Sequence, residues 1–458
     1  MERVKSRKKI TRDLTEGNIY KNFILYVIPL ILAALLTQAY STIDSAIAGK
    51  YVGDYAVGAI GATQDLSTFI ATLISGFSVG FSIYVARVFG EKDYVRIKTD
   101  IINVLIFIAA VLILLGVACI LFSGWIMDVL QVDDEIRRDA MLYFCITKAG
   151  FFMISGNVAL VQVLHALGVT GFSFYMALLS AVLNVGGNLL SVAVLDMGIE
   201  GIALSTVLSS AVASVLYVRK LRQCFRELPG SIGRFRFRFS SVRMSLHYSL
   251  PTCLQQGSMY FAGLILSPII NSIGAAATTG YSVSVRFANF SACIYQNSSK
   301  VVSIYTAQSI GAKKYGNIRK GLLAGLVQAF VLVAPVLLAC IFFARPIASI
   351  FFTDGYTGEA YAAAVRFATV FLPLIVFNVI NNLMHSFFRG VGAFGTLIFS
   401  TSFASIVRIV LTFILAPMFS LDGVFLGWTI SWIAEALLCF FIFLFRYRNE
   451  KQIMKRIG

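Results

Sequence analysis

Charge is scarce in this chain. Asp, Glu, Lys and Arg make up 13% of its 458 residues, about half the share of a soluble globular domain. Acids are rarer than bases, 22 against 38, and histidine occurs three times, at His165, His247 and His385. The three histidines stand far apart, without the spacing of a metal-binding pair, and are expected near helix ends. No two of the seven cysteines form a CxxC pair, so packing is expected of them rather than a disulfide framework or a metal site. The glycines match neither the Walker nor the Rossmann spacing, which leaves ATP drive unsupported and no cofactor expected. Carboxylate clusters such as DDxxD and a HExxH pair are also missing, so a membrane-embedded enzyme is the weakest reading of the chain.

What is there is apolar. Hydrophobic residues make up 58% of the sequence, and runs of about 20 of them recur from end to end, each able to cross a ~30 Å hydrocarbon core as a helix. Twelve runs can be marked, at about 23–48, 66–88, 101–122, 141–163, 172–195, 202–218, 246–270, 278–303, 322–343, 362–387, 396–418 and 424–445. A β-barrel would need short alternating segments instead. The fold class expected is therefore all-α and integral to the membrane.

The formal net charge of +16 would suit a nucleic-acid partner, but its placement argues for topology. With a cytoplasmic N-terminus, the inside segments collect Arg3, Lys5, Arg7, Lys8 and Lys9, the central run from Arg219 through Arg234 to Arg243, and Arg446, Lys451, Lys455 and Arg456. The outside segments hold few bases and most of the loop acids, among them Asp128, Asp133, Asp134 and Glu200. This is the positive-inside asymmetry, and the surplus faces anionic lipid. No nucleic-acid partner is expected. Both termini are placed in the cytoplasm, which requires an even number of spans, and the chain is placed in the cell (plasma or inner) membrane. A basic stretch followed at once by a full-length span is not the pattern of a cleavable signal.

The chain also repeats itself. ARVFGEKDYVRIK after the second span matches AQSIGAKKYGNIRK after the eighth, with Gly90 on Gly311 and Tyr94 on Tyr315, an offset of 221 residues. Pro29 falls on Pro251, Gly168 and Phe172 on Gly390 and Phe394, and IEGIAL on LDGVFL, each 222 residues apart. Six spans per copy is even, so the second copy enters from the same side as the first and the two lobes are parallel repeats. The divisions expected are a cytoplasmic tail 1–22, an N-lobe 23–218, a cytoplasmic linker 219–243, a C-lobe 244–446 and a tail 447–458. Two lobes with a path between them suit alternating access better than an enzyme or a passive channel.

Asp44 stands out within this frame. A carboxylate in a span is costly and marks a functional site by default. Thr37, Ser41 and Asp44 follow one another at four and three residues, so they share a face of the first helix. Burial disfavours the charged form of a carboxyl, and such a group could take up a proton or Na⁺ and discharge it as its surroundings change. Asn184 and Asn188 lie four apart on the fifth span, and Thr206 opens the sixth. Amide contacts between helices are the structural alternative for these residues. Gln255 and Gln256 in the seventh span and Asn378, Asn381 and Asn382 in the tenth are candidates to line a substrate cavity, with Thr37, Gln38, Ser41, Asn157 and Gln296. Lys148, Arg286, Lys300 and Arg408 are cations within spans. Arg408 and Glu435 reach similar depths from opposite sides, so a structural ion pair is expected between them, with Arg286 as the competing partner.

The Leu14-Thr15-Glu16-Gly17 opening, Pro29 in the first span and Asp44 before a small-residue and Gly turn resemble the start of the multidrug and toxin extrusion (MATE) family. The Gly90-to-Tyr94 loop, its copy at Gly311, LNVGGN in span 5 and GIEGIALST before span 6 are similar to that family too. The Asp-Arg and Gly-Arg-Arg pattern of major facilitators is missing after span 2. The resemblance covers nearly the whole chain and implies a bacterial-type antiporter of twelve helices in two six-helix lobes. Such a protein would be expected to act as a monomer and to export amphipathic organic compounds against H⁺ or Na⁺. It implies that Asp44, Asn184, Asn188 and Thr206 form the coupling site. The sequence departs from the family at Asn188, often an Asp, and by lacking acids in spans 7 and 10. Cations facing the cavity would favour the alternative of a flippase for a lipid-linked or anionic oligosaccharide.

Overall fold

The computed structural model describes residues 10–231, 236–352, 358–449 and 452–454, except for the side chains of Ser41, Thr42, Ser45, Ala46 and Asp54. Ser41 as a cavity residue, the basic cluster at positions 3–9, Arg234, Lys451, Lys455 and Arg456 thus lie outside the described residues. In the first half, α1 (Ile19–Ile47) runs into a π-helical turn, Ala48–Val52, and is followed by α2 (Asp54–Glu91) and α3 (Tyr94–Leu121). A short α4 (Ser123–Val129) leads to α5 (Asp134–Ala149) and α6 (Phe151–Ala166). Then come α7 (Gly171–Leu189), which ends in the π-helical turn Leu190–Val194, and α8 (Ile199–Glu227).

The second half repeats that order with α9 (Phe239–Ile273), α10 (Ala275–Gly311), α11 (Gly316–Phe342) and a short α12 (Ala344–Ser349). It continues with α13 (Glu359–Arg366), a π-helical turn Phe367–Phe371 and a 3₁₀ turn Leu372–Leu374, then α14 (Ile375–Val391) and α15 (Phe394–Arg446).

Among the described residues, nine helices are long and apolar enough to cross a membrane, and α5 with α6, bent by 50° at Gly150, makes a tenth. Helix α15 is two spans joined at Ser420, whose φ of 51° and ψ of −132° break the helix. The last span is α10. It falls short on hydropathy because it carries Arg286, Lys300 and many hydroxyls, yet its residues 301–310 are all buried. A helix walled by protein needs no lipid-facing apolar stripe. The chain is thus an all-α membrane protein of twelve spans in two lobes. Its outer faces fit that solvent: Leu121, Phe342 and Phe445 are three-quarters exposed, as side chains facing lipid are.

The repeat is written into the backbone. Gly53 and Gly274, 221 residues apart, precede α2 and α10 with φ of 110° and 131°. Lys92 and Lys313, again 221 apart, follow those helices at φ of 61° and 56°. Asp196 and Ser420 both turn at φ 51° before the last span of each half. The match of Gly168 to Gly390 does not extend to their roles. Gly168 turns at φ 78°, whereas Gly390 stays helical and meets Thr306 and Ser303, and Gly392 supplies the turn at φ 85°. By internal contacts the chain falls into two units. One is Ile28–Ser249 with the residues up to Leu14; the other is Thr15–Val27 with Leu250–Gly458.

Candidate cation-coupling site

The π-helical turns place the site. A π turn inserts a residue into an α-helix, shifts the register of what precedes it, and is frequent at functional positions. Asp44 lies four residues before the turn Ala48–Val52 and Asn188 two before Leu190–Val194. The two turns pack together through buried Ala48 and Val192, with Ile202 of α8 completing the cluster. That contact aligns the ends of α1 and α7 against the start of α8.

The side chains above the contact form a chain of polar groups inside the first unit. Asn188 Nδ2 donates to Asp44 Oδ1 and lies 3.4 Å from Asn184 Oδ1. Asn184 Nδ2 donates to Thr206 Oγ1 over 3.2 Å, and that hydroxyl donates to the Ile202 carbonyl at 3.1 Å. Asn184 and Asn188 are buried, and Asn188 Oδ1 has no partner among the described residues. The site therefore gathers one carboxylate, two amide oxygens and a hydroxyl on three helices. No cation pairs with Asp44 among the described residues. Charge on it is left for a proton or a small cation to balance, and hard oxygen donors suit Na⁺ as well as H⁺. Two tyrosines missed in the sequence stand within electrostatic reach of Asp44: Tyr40, one turn earlier on α1, and Tyr143 of α5. Tyr40 could have been found from its i, i+4 spacing; Tyr143 carries no sequence signal.

The described residues expected in a substrate cavity are divided between the two units, three in the first and six in the second. Thr37 is exposed and bonds back to the Ala33 carbonyl. Gln38 and Gln296 are exposed. Asn157 joins α6 to α8, donating to the Ser210 carbonyl at 2.9 Å and accepting from Ser214. Gln255 is buried, with its amide nitrogen 3.3 Å from Met259 Sδ, and Gln256 is half-buried. Asn378 donates to Tyr295 Oη, Asn381 to the Trp432 carbonyl and Asn382 to the Asn378 carbonyl. Asn157 thus makes a polar contact between two helices of the first unit.

The expected pair of Arg408 with Glu435 is not formed. Glu435 Oε1 is 2.9 Å from His385 Nε2, and both side chains are buried. The Arg408 guanidinium lies 5.8 Å from the centroid of the Trp428 ring, and Arg286, the competing partner, lies 5.4 Å from that of Phe351. Depth along a helix is legible from residue counts; the direction around its axis decided the partner. His385 is also no helix-end residue, since it lies in the middle of α14 at 2% exposure. His165 does close α6, where its Nε2 meets Ser173 Oγ at 2.8 Å.

Comparison with known proteins draws these features together. The MatE family profile matches residues 29–190 and 251–414, once in each half. The chain belongs to the MatE family. It is 22% identical to the probable multidrug resistance protein YoeA of Bacillus subtilis, over 98% of both chains. It is 21% identical to the multidrug export protein MepA of Staphylococcus haemolyticus, over 96% of each. A MOP-superfamily transporter from Pyrococcus furiosus, described as having a binding pocket of reverse polarity, superposes with a TM-score of 0.88 at 19% identity. That match covers 98% of this chain and 99% of the other, and it fixes the MatE fold. A MatE protein is a multidrug efflux transporter and not an enzyme. The matched stretches include Asp44, Asn184 and Asn188 and stop before Thr206 and Glu435.

Proposed function

We propose that the chain is a cation-coupled antiporter that exports amphipathic organic compounds by alternating access, with Asp44 carrying the coupling ion. One observation carries the reading: the Asp44 carboxylate has Asn188 as its hydrogen-bond partner and no cation beside it among the described residues. Such a carboxylate is stable while loaded and reactive when emptied, which is what coupling requires. The amide at Asn188 gives the site one formal charge, which favours H⁺ over Na⁺. The named relatives are multidrug proteins, which supports the substrate class. The chain is assigned to the plasma or inner membrane as a monomer with both termini cytoplasmic, residues 219–243 linking its lobes.

The test is efflux of a lipophilic cationic dye from proteoliposomes under imposed ΔpH or ΔNa⁺. We expect ΔpH to drive efflux and Asp44→Asn to abolish it in a folded protein. Wild-type rates in that variant would remove Asp44 from the mechanism.

A second reading has its own observation. Arg286 lies over the Phe351 ring rather than beside an acid, and Lys300 is bonded to the neutral Asn297. These unneutralised cations favour an anionic or lipid-linked substrate, and export of an anionic dye in place of a cationic one would select it.

A further inference from the structure

The second unit buries a carboxyl group that this coupling scheme leaves unused. Among the described acids of that unit, Glu16 precedes α1, Glu359 opens α13 and Asp422 is paired with Arg366 at the surface. Glu435 alone lies in the middle of a span. Its side chain is 5% exposed and that of His385, 2.9 Å away, is 3% exposed.

The surroundings of the pair are polar and unfinished. Asn381, one turn before His385, donates its amide nitrogen to the Trp432 carbonyl, three residues before Glu435. Asn381 Oδ1 and Trp432 Nε1 are both buried without a partner among the described residues. Arg408 is within electrostatic reach of Glu435, and its Nε and the Thr412 hydroxyl, one turn on, are likewise without partners. Buried polar groups are paired as a rule, and a cluster of exceptions marks a place for water or a ligand. Asn381 and Trp432, bonded to each other one turn before His385 and Glu435, thus set two such atoms close to a carboxyl and an imidazole, two groups that bind protons.

We propose that His385 and Glu435 form a second proton-binding site, separate from Asp44, that takes up and releases one proton during the export cycle. Unloaded, the pair is a carboxylate and a neutral imidazole. A proton from water joins it to give carboxylate and imidazolium, and returns to water on release, so the pair changes by one unit of charge. The helices packed against α14 carry further charged and titratable groups. Helix α15 presents Arg408 and Cys439. From α10 come Tyr295, bonded to Asn378, and Lys300, bonded to Asn297. Arg389 lies one turn along α14, bonded to Ser386. Helix α11 buries no charged residue. Only the role in export rests on the coupled-antiporter reading; proton binding does not.

The pocket carries its own reporter. The sequence has three tryptophans, Trp125, Trp428 and Trp432, and an imidazolium quenches a nearby indole. In the full chain carrying Trp125→Phe, emission should pass through one transition as pH is varied. We expect that transition to vanish in His385→Gln, to move in Glu435→Gln, which keeps the shape of the side chain, and to persist unmoved in Asp44→Asn. In proteoliposomes ΔpH-driven efflux should fall several-fold in both pocket variants. An unmoved transition in Glu435→Gln, or wild-type efflux in a variant that has lost or moved its transition, would overturn the proposal. Wild-type efflux by Asp44→Asn, with the transition still dependent on His385, would defeat the Asp44 reading and leave this one standing.

Discussion

Asn188 of α7 gives its side-chain amide to the Asp44 carboxylate and leaves its own Oδ1 buried without a partner among the described residues. The residue thus ties α1 to α7, with one amide oxygen able to accept a further hydrogen bond. An aspartate there would place a second carboxylate against the first, and like charges in contact cannot both stay ionised without a cation between them. Asn188→Asp is expected to give efflux a saturable Na⁺ requirement. Efflux from proteoliposomes at fixed pH and graded Na⁺ checks this; an unchanged ion requirement would separate Asn188 from coupling.

The connection between the halves is fastened to α3. Lys98 Nζ donates to the carbonyls of Leu228, Pro229 and Gly230 at 2.7, 3.3 and 2.6 Å, where the chain leaves the end of α8. Asn103 Oδ1 accepts from the Arg238 amide and Asp100 Oδ1 from the Ser241 hydroxyl, so α3 holds both ends of the segment, one by Lys98 and the other by the opposite side of the helix. Lys98 is 4% exposed. Lys98→Met should cost about 2 kcal/mol, the usual loss for charge-assisted hydrogen bonds left unmade. Thermal unfolding in detergent reads that loss, and trypsin should cut sooner at Arg236 and Arg238.

Gly423 lies where the two halves of α15 close on each other. A Cβ there would sit 2.1 Å from the Leu415 carbonyl oxygen and 2.7 Å from the Ala416 nitrogen. Both are backbone atoms, with no rotamer to give way. Gly423→Ala should therefore destabilise by at least ~1–3 kcal/mol, the range for overpacking. Gly61→Ala, where a Cβ meets nothing within 4 Å, should be neutral or stabilise by roughly 0.5–1 kcal/mol. Equal melting temperatures for the two variants would refute the close approach.

The spans were legible because bilayer thickness leaves its mark on composition, so runs such as 66–88 and 101–122 announce α2 and α3. Their ends were not, since helices continue past the hydrocarbon: α2 extends to Asp54–Glu91. The 50° bend at Gly150 and the π-helical turns after Asp44 and Asn188 have no signature in hydropathy. The polar neighbours of Asp44 were reached through the family resemblance carried by LNVGGN, which holds Asn184 and Asn188; helical spacing alone put those two on one face. Tyr143 and His385 were not reached, because their roles depend on which way a helix is rotated in its bundle, and no residue count contains that angle.

That rotation can be tested where it misled most. Glu435 has two basic neighbours, His385 in hydrogen-bond contact and Arg408, which is turned to the Trp428 ring. A double-mutant cycle isolates the part of a stability change that two residues share, and contacting residues show roughly 0.5–3 kcal/mol. The His385→Gln and Glu435→Ala cycle should give a coupling inside that range, because each single change strands a buried polar partner. The Arg408→Met and Glu435→Ala cycle should couple more weakly, since Arg408 loses a field and no hydrogen bond. Melting temperatures of the single and double variants in detergent supply both cycles. A stronger coupling with Arg408 than with His385 would restore the ion pair and leave His385 a packing residue.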